Sequence, residues 1–298
     1  MTDPASNRLS RPEPGLRRVL APNPSPMTYQ GTNTYIVGVG EVAVIDPGPD
    51  LAAHHEAILA ALEPGERISH ILVTHSHLDH SPLARRLAET TAAEVLGFGR
   101  HEAGRSPMMA QLATDGLSGG GEGADLAFEP DRLLADGEEI RGAGWTLRAL
   151  HTPGHASNHL AFAWEEALFT GDHVMGWASS MVSPPDGDLT AFMATCARLA
   201  ERGDRIYYPG HGDPVEEPAA RLAWLVAHRR SREARLLQEL GPEAQSIDTL
   251  TRRIYTDTPP ALLPAAARNV FAHLLDLVAR GIVACDGNPS PAARFRRI

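Results

Sequence analysis

Apolar residues along this chain recur with two periods, one suited to strands and one to helices, and their alternation predicts a layered α/β fold. The β-branched runs TNTYIVG (32–38) and EVAVIDPG (41–48) flank a glycine turn and predict a hairpin. Residues 50–63 carry apolar side chains at helical spacing and stop at Pro64-Gly65. HILVT (70–74) predicts a short buried strand, followed by a helix near 82–90 and a strand in AAEVLGF (92–98). A second set of strands is predicted around 132–135 and in TLRALHT (146–152), HLAFAW (159–164) and EALFTGD (166–172). A helix over 189–202 and a strand over 205–212 complete it. Each half is a set of strands with helices, the pattern of a sheet core covered by helical layers.

Two stretches break this pattern. GRSPMMAQLATDGLSGGGEG (104–123) predicts a mobile surface loop with a short helix around Met108–Thr114, because glycine loses the most entropy on ordering. From 218 to 240 runs an Arg-rich helix that ends at Gly241-Pro242. SIDTLTRRIY, AAARNVFAHLLDLVARG and IVACDG then predict a short helix, a longer helix and a strand, the order of a winged-helix-like module. The closing PSPAARFRRI predicts a loose or edge segment. The chain thus divides into a domain over 1–220 and a small C-terminal domain over 221–298.

Composition narrows the class. With 43% hydrophobic and 21% charged residues the chain reads as a globular protein. No run approaches the ~18 continuous apolar residues of a membrane span, so no membrane partner is expected. The polar, Pro-rich start lacks the apolar core of a secretory signal, and Cys196 and Cys285 are far apart. A reducing cytoplasm is therefore expected, without a disulfide framework or a cysteine-based metal site. All 27 basic residues are arginine, which excludes lysine-based covalent chemistry. The net charge of −10 is uneven: residues 221–298 hold 12 Arg against 7 acidic residues, and residues 1–220 hold 15 against 30. A basic tail module points to nucleic acid, with Arg229, Arg230 and Arg232 as candidate phosphate ligands; the plainer reading is a solvated helix face.

The chemistry is concentrated in His75-Ser76-His77-Leu78-Asp79-His80, directly after the HILVT strand. A helix cannot aim positions i and i+2 at one point, but a strand-to-helix turn can. Neutral imidazole and carboxylate are zinc ligands. His155, Asp172 and His211 occupy the same context, each beside glycine at a predicted strand end. Any one of them alone would be an ordinary turn or cap. Together with HSHLDH, and in this order, they define a candidate metal site on one sheet edge.

The series HSHLDH, TPGH, GD and GHG resembles the metallo-β-lactamase superfamily over about residues 18–215. The resemblance implies an αββα sandwich with two zinc ions per chain: His75, His77 and His155 on one, Asp79, His80 and His211 on the other, and Asp172 bridging. It implies hydrolysis by a metal-bridging hydroxide, with Asp79 as the catalytic residue that steers it and takes its proton, and Asp46 supporting the ligands. RVLAPNPSPMTYQGTNTYIVG and WLVAHRRSREARLLQEL resemble the β-lactamase-like protein 2 subgroup, which implies endonucleolytic cleavage of single-stranded RNA. Ser76 and Pro82 depart from the Trp and Gly of that subgroup. The alternatives are a glyoxalase II-like hydrolase of a small ester or thioester, and a winged-helix nucleic-acid-binding regulator with a scaffold metal domain. Among the remaining candidates, His159 reads as structural or near the site, Ser179 and Ser180 as loop residues at substrate height, and His173 as pointing away. His54, His55, His70 and His101 read as surface or helix histidines.

Overall fold

The computed structural model describes residues 9–120 and 123–298. The first sheet contains β1 (Leu9–Glu13), β2 (Leu16–Leu20), β3 (Asn33–Val39), β4 (Glu41–Ile45), β5 (Arg67–Leu72), β6 (Glu94–Gly97) and β7 (Arg132–Leu133), side by side in chain order. Pairing is antiparallel through β4 and parallel from β4 to β7. Parallel neighbours need a crossover, and α1 (Ala52–Ala60) and α2 (Leu83–Thr91) supply the first two. After β6 comes α3 (Pro107–Thr114), capped by Ser106 with Pro107 at its first turn.

The second sheet has the order β12–β11–β10–β9–β8, built from β8 (Glu139–Gly142), β9 (Trp145–His151), β10 (Leu160–Trp164), β11 (Ala167–Gly171) and β12 (Ile206–Pro209). Only β11 and β12 are parallel, and α4 (Leu189–Ala200) crosses between them. Period-two alternation sets the layers. Tyr35, Val37, Ala43 and Ile45 join Leu147, Ala149, Leu160 and Phe162 in a core between the sheets. Ile36, Val42 and Val44 face away, onto Ile58 of α1 and Leu83 and Leu87 of α2. On the far side Ala161 and Leu168 meet Phe192 and Cys196 of α4. The result is the expected αββα sandwich.

The chain continues through α5 (Pro218–Glu239), β13 (Gln245–Ser246), α6 (Ile247–Ile254), a 3-10 turn (Pro260–Leu262), α7 (Leu263–Ala279), β14 (Val283–Cys285) and β15 (Arg294–Arg297). α5 serves both cores: Leu222 and Leu225 pack on the sandwich, Leu236 and the following Leu240 on the helical module. Pro260–Ala279 is long and apolar enough to cross a membrane by length and composition. Its Val270, Phe271, Leu274 and Leu275 are instead buried as the core of the winged-helix module.

Two sequence expectations change, and one element is added. The polar N-terminal stretch, for which no element was predicted, carries a hairpin of β1 and β2 about Gly15 (φ +76°), with Pro12 on the edge strand where no ladder N–H is needed. The closing segment is not an edge: β15 lies between β13 and β14, with Phe295 fully buried. The 104–123 stretch is largely packed. Met109 and Leu112 of α3 join the C-terminal core, and a Cβ on Gly119 would lie 1.5 Å from Asp186 Oδ2, so that position is glycine because the loop lies hard against the body. The part of its glycine run at 121–122 lies outside the described residues.

Candidate metal centre

All the candidate ligands leave the sheets at one edge. β5 gives way after Val73-Thr74 to the turn that carries His75, His77, Asp79 and His80, and Asp172 directly follows β11. His155 lies beyond the end of β9, and His211 beyond β12. The turn after β12 is fixed by Asn33, whose Nδ2 donates to Pro209 O (3.0 Å) and Gly212 O (2.8 Å). Asp46, just past β4 at φ +50°, accepts from Thr74 N (2.7 Å) and Thr74 Oγ1 (2.8 Å), so it ties β4 to the start of the histidine turn.

The seven residues form two adjoining groups. In the first, His77 Nδ1 lies 3.0 Å from His75 Nε2 and 3.1 Å from His155 Nε2. In the second, His211 Nε2 lies 3.3 Å from His80 Nε2, 3.1 Å from Asp79 Oδ2 and 3.3 Å from Asp172 Oδ2. Asp172 Oδ2 is also 3.7 Å from His155 Nε2, which places this carboxylate between the groups. Within each group the donor atoms lie inside 4.8 Å of one another, and all seven residues are buried.

Three features fit a pair of cations. Ligand atoms ~2.0–2.2 Å from one ion stand ~3–3.6 Å apart, the spacing seen here. Asp79 Oδ1 and Asp172 Oδ1 are buried without a hydrogen-bond partner, a costly state unless a cation meets them. Four of the five imidazoles also have an oxygen partner on the outward nitrogen, as metal-bound histidines do. These are Thr74 Oγ1 for His75 (2.9 Å), Asp46 Oδ2 for His80 (2.9 Å), Met181 O for His155 (2.8 Å) and Gly31 O for His211 (3.1 Å).

Electrostatics divide the groups. Burial and the surrounding imidazoles push His75 well below its ordinary value and His77 down to about 3, so both present lone pairs. Burial pulls His80 and His211 the same way, but Asp79 and Asp172 outweigh it, with Asp46 adding to the effect on His80. His80 is raised well above its ordinary value and His211 to about 10. In return, and against their own burial, Asp79 and Asp172 are held well below the usual carboxylate range. His75 and His77 are thus neutral ligands, whereas in the second group two carboxylates are balanced by imidazolium protons that a divalent ion would displace.

His77, Asp79, His155 and Asp172 form the floor of a cleft of about 270 Å³. Met27, Met175, Trp177 and Met181 wall it from the sandwich, and Tyr255, Leu262, Ala265, Ala266 and Asn269 from the C-terminal module. Among the described residues no arginine lines it.

Other candidates fall outside this floor. Buried His159 bonds Thr152 Oγ1 through Nδ1 (2.7 Å) and accepts from Asp172 N through Nε2 (3.2 Å), so it holds the strand end that carries Asp172. His173 points toward Cys196, away from the cleft. Ser179 lines the cleft, whereas Ser180 is buried and donates to His173 O (2.8 Å). Of the histidines read as surface or helix residues, His54 and His55 lie on α1 and are buried, His54 against Thr34 Oγ1 (2.8 Å); His101 is neither, being buried in a turn against Asp186 (2.8 Å). Arg229 is likewise buried, not solvated. Sequence reading had no signal for Thr74, Asn33 or the Met181 carbonyl, because supporting roles of this kind follow from tertiary placement.

An αββα sandwich with two His/Asp clusters at one sheet edge defines a metal-binding hydrolase. The chain belongs to the metallo-beta-lactamase superfamily, whose pattern matches residues 27–211, and a beta-lactamase associated winged helix domain matches 246–290. Within the superfamily it is similar to the Drosophila melanogaster beta-lactamase-like protein 2 homolog, at 32% identity over 290 residues, covering 93% of this chain and 91% of the other. It is also 32% identical over 246 residues to an atrochrysone carboxyl ACP thioesterase of Cryptosporiopsis sp., covering 80% and 67%. A metallo-beta-lactamase family protein of Thermus thermophilus superposes with a TM-score of 0.75 at 27% identity, covering 96% of this chain and 99% of that one.

Proposed function

We propose that this chain is a dinuclear zinc hydrolase that cleaves thioesters, or the matching oxygen esters, of an apolar acyl group. The observation that carries the reading is the cleft: apolar walls rise from a His/Asp floor, and among the described residues no arginine reaches it. Five imidazoles and two carboxylates suit zinc. Bound there, two such ions supply Lewis-acid polarisation of a carbonyl and water acidified to a pKa of about 7. His75, His77 and His155 would hold one ion, Asp79, His80 and His211 the other, and Asp172 would lie between them. The chain's own contribution is to orient and to exclude. Met27, Met175 and Leu262 remove water from the acyl group and hold its carbonyl over the floor. Asp79 would take the proton released on hydrolysis on the carboxylate oxygen that does not hold the ion, since its side chain borders the cleft.

Single-stranded RNA is the second reading. It is favoured by the Drosophila relative and by Tyr29 and Trp177, exposed aromatics stacked 5.0 Å apart, with Trp177 on the cleft. It lacks the cations that backbone binding uses. Arg229 is committed to Ser180 O and Asn269 Oδ1, and Arg232 lies over the Tyr255 ring. A regulator reading bases through α7 is disfavoured. Arg268 is turned to Ser118 O and Ser183 Oγ, Asn269 to Arg229, and His273 is buried.

The test is zinc-loaded enzyme assayed on acyl-N-acetylcysteamine thioesters of increasing chain length and, in parallel, on single-stranded RNA. Thioester turnover that rises with acyl length supports the first reading. RNA cleavage without thioester turnover establishes the second.

A further inference from the structure

We propose that the C-terminal module positions His155, through a clamp that Arg229 and Asn269 close on the backbone of residues 180–182, and so sets the affinity of the His75–His77–His155 site for its ion. The proposal rests on His155 being a metal ligand, as read above.

The outward nitrogen of His155, Nδ1, lies 2.8 Å from Met181 O. In a metal-bound histidine that outward contact fixes the tautomer and the ring direction. Met181 lies in irregular chain between β11 and α4, so no strand ladder holds its carbonyl in place. Its neighbours on both sides are held instead by residues beyond 220. On one side Ser180 O accepts a short hydrogen bond from Arg229 Nη2. On the other, Val182 N donates to Asn269 Oδ1 (3.4 Å). The two anchors are joined, since Arg229 Nη1 donates to the same Asn269 Oδ1 (2.9 Å), and Asn269 Nδ2 is tied to Ala265 O on α7 (3.2 Å).

Arg229 is an expensive residue to place there. It is 4% exposed, lies over the Phe192 ring at 5.1 Å, and among the described residues no carboxylate forms an ion pair with it. Burial, with a smaller contribution from Arg232, pulls its guanidinium down to about 10. A buried cation with neutral acceptors is less stabilising than an apolar side chain of the same volume. A guanidinium, however, presents several donors in one rigid plane, and here two of them bridge α5, the 180–182 segment and α7. Packing needs only bulk at this position; orienting a carbonyl needs the donors.

The experiment measures stepwise Co²⁺ and Zn²⁺ binding to the full-length metal-free chain by chelator competition, with circular dichroism to check folding. His155→Ala identifies the step that depends on His155; if it removes neither of two steps, the reading of the site itself fails. Given that step, Arg229→Met and Asn269→Leu are expected to weaken it roughly tenfold, the lower end of the effect of losing an outer partner. The other step is expected to stay unchanged. The visible absorption of Co²⁺ at the His155-dependent site is expected to change as well. Asn269→Asp keeps the acceptor and is expected to restore affinity to within about twofold of the parent. A folded Asn269→Leu protein with both steps unchanged, or with both weakened equally, overturns the proposal. Asn269→Leu carries the test if Arg229→Met does not fold.

Discussion

Replacing His273 by leucine should make the protein more resistant to mild acid. This histidine is 3% exposed on α7, and neither ring nitrogen has a hydrogen-bond partner. It faces Arg229, His228 and Arg232 on α5, and Arg280 at the end of its own helix. Burial first, and these cations second, push it from 6.5 down to about 3. A histidine with a depressed value stays neutral in the folded chain and takes up a proton only on unfolding once the pH falls below 6.5. Its stability cost is therefore absent above pH 6.5 and grows as the pH falls toward 3, at about 1.4 kcal/mol per pH unit. At pH 5.0 the cost is about 2 kcal/mol. Leucine removes this linkage and also the two unsatisfied nitrogens, since replacing an unpaired buried polar group by an apolar one is neutral or favourable. The assay is urea unfolding of parent and variant at pH 7.5 and pH 5.0. The variant's advantage should be larger at pH 5.0 by about 2 kcal/mol, while His173, also held at about 3, titrates equally in both proteins and cancels. An advantage that is the same at both pH values would refute the argument.

Other changes act on the site. Asp79→Ala should lower thioester turnover by about 10²–10⁴-fold, with a circular dichroism spectrum like the parent's. Ala266→Phe, which adds bulk to the module's wall of the cleft, should raise KM for long acyl chains by roughly tenfold and leave acetyl thioesters nearly unaffected, read from KM against chain length. Zinc at about 100 times its Kd should stabilise the metal-free chain by about 2.7 kcal/mol. His75→Ala should lose part of that gain, as thermal melts with and without metal would record.

Much of this was legible in the sequence. HILVT running into HSHLDH is both a buried strand and a turn of candidate ligands, so one segment marked a fold element and most of the candidate site. His155, Asp172 and His211 were readable because each follows a strand that joins the same edge. The rest depended on tertiary contacts that carry no local pattern. β15 has one apolar residue among arginines, so Phe295 alone could not mark a central strand. The N-terminal hairpin was hidden by Pro12 and Pro14: Pro12 is tolerated because β1 is an edge strand, and Pro14 lies in the turn that follows it. Gly119 read as flexible, yet it packs against Asp186. The arginine-rich stretch of α5 read as a solvated face, while Arg229 points inward to the 180–182 backbone. A run of one residue type cannot reveal which member is turned into the protein.

The most direct test of the account is elemental analysis of the full-length protein expressed with ample zinc, coupled to turnover of a long-chain acyl thioester before and after chelation. The account predicts close to two zinc ions per chain, turnover lost on chelation, and turnover regained when zinc is returned. A folded protein without metal, or thioester turnover indifferent to chelation, would contradict it.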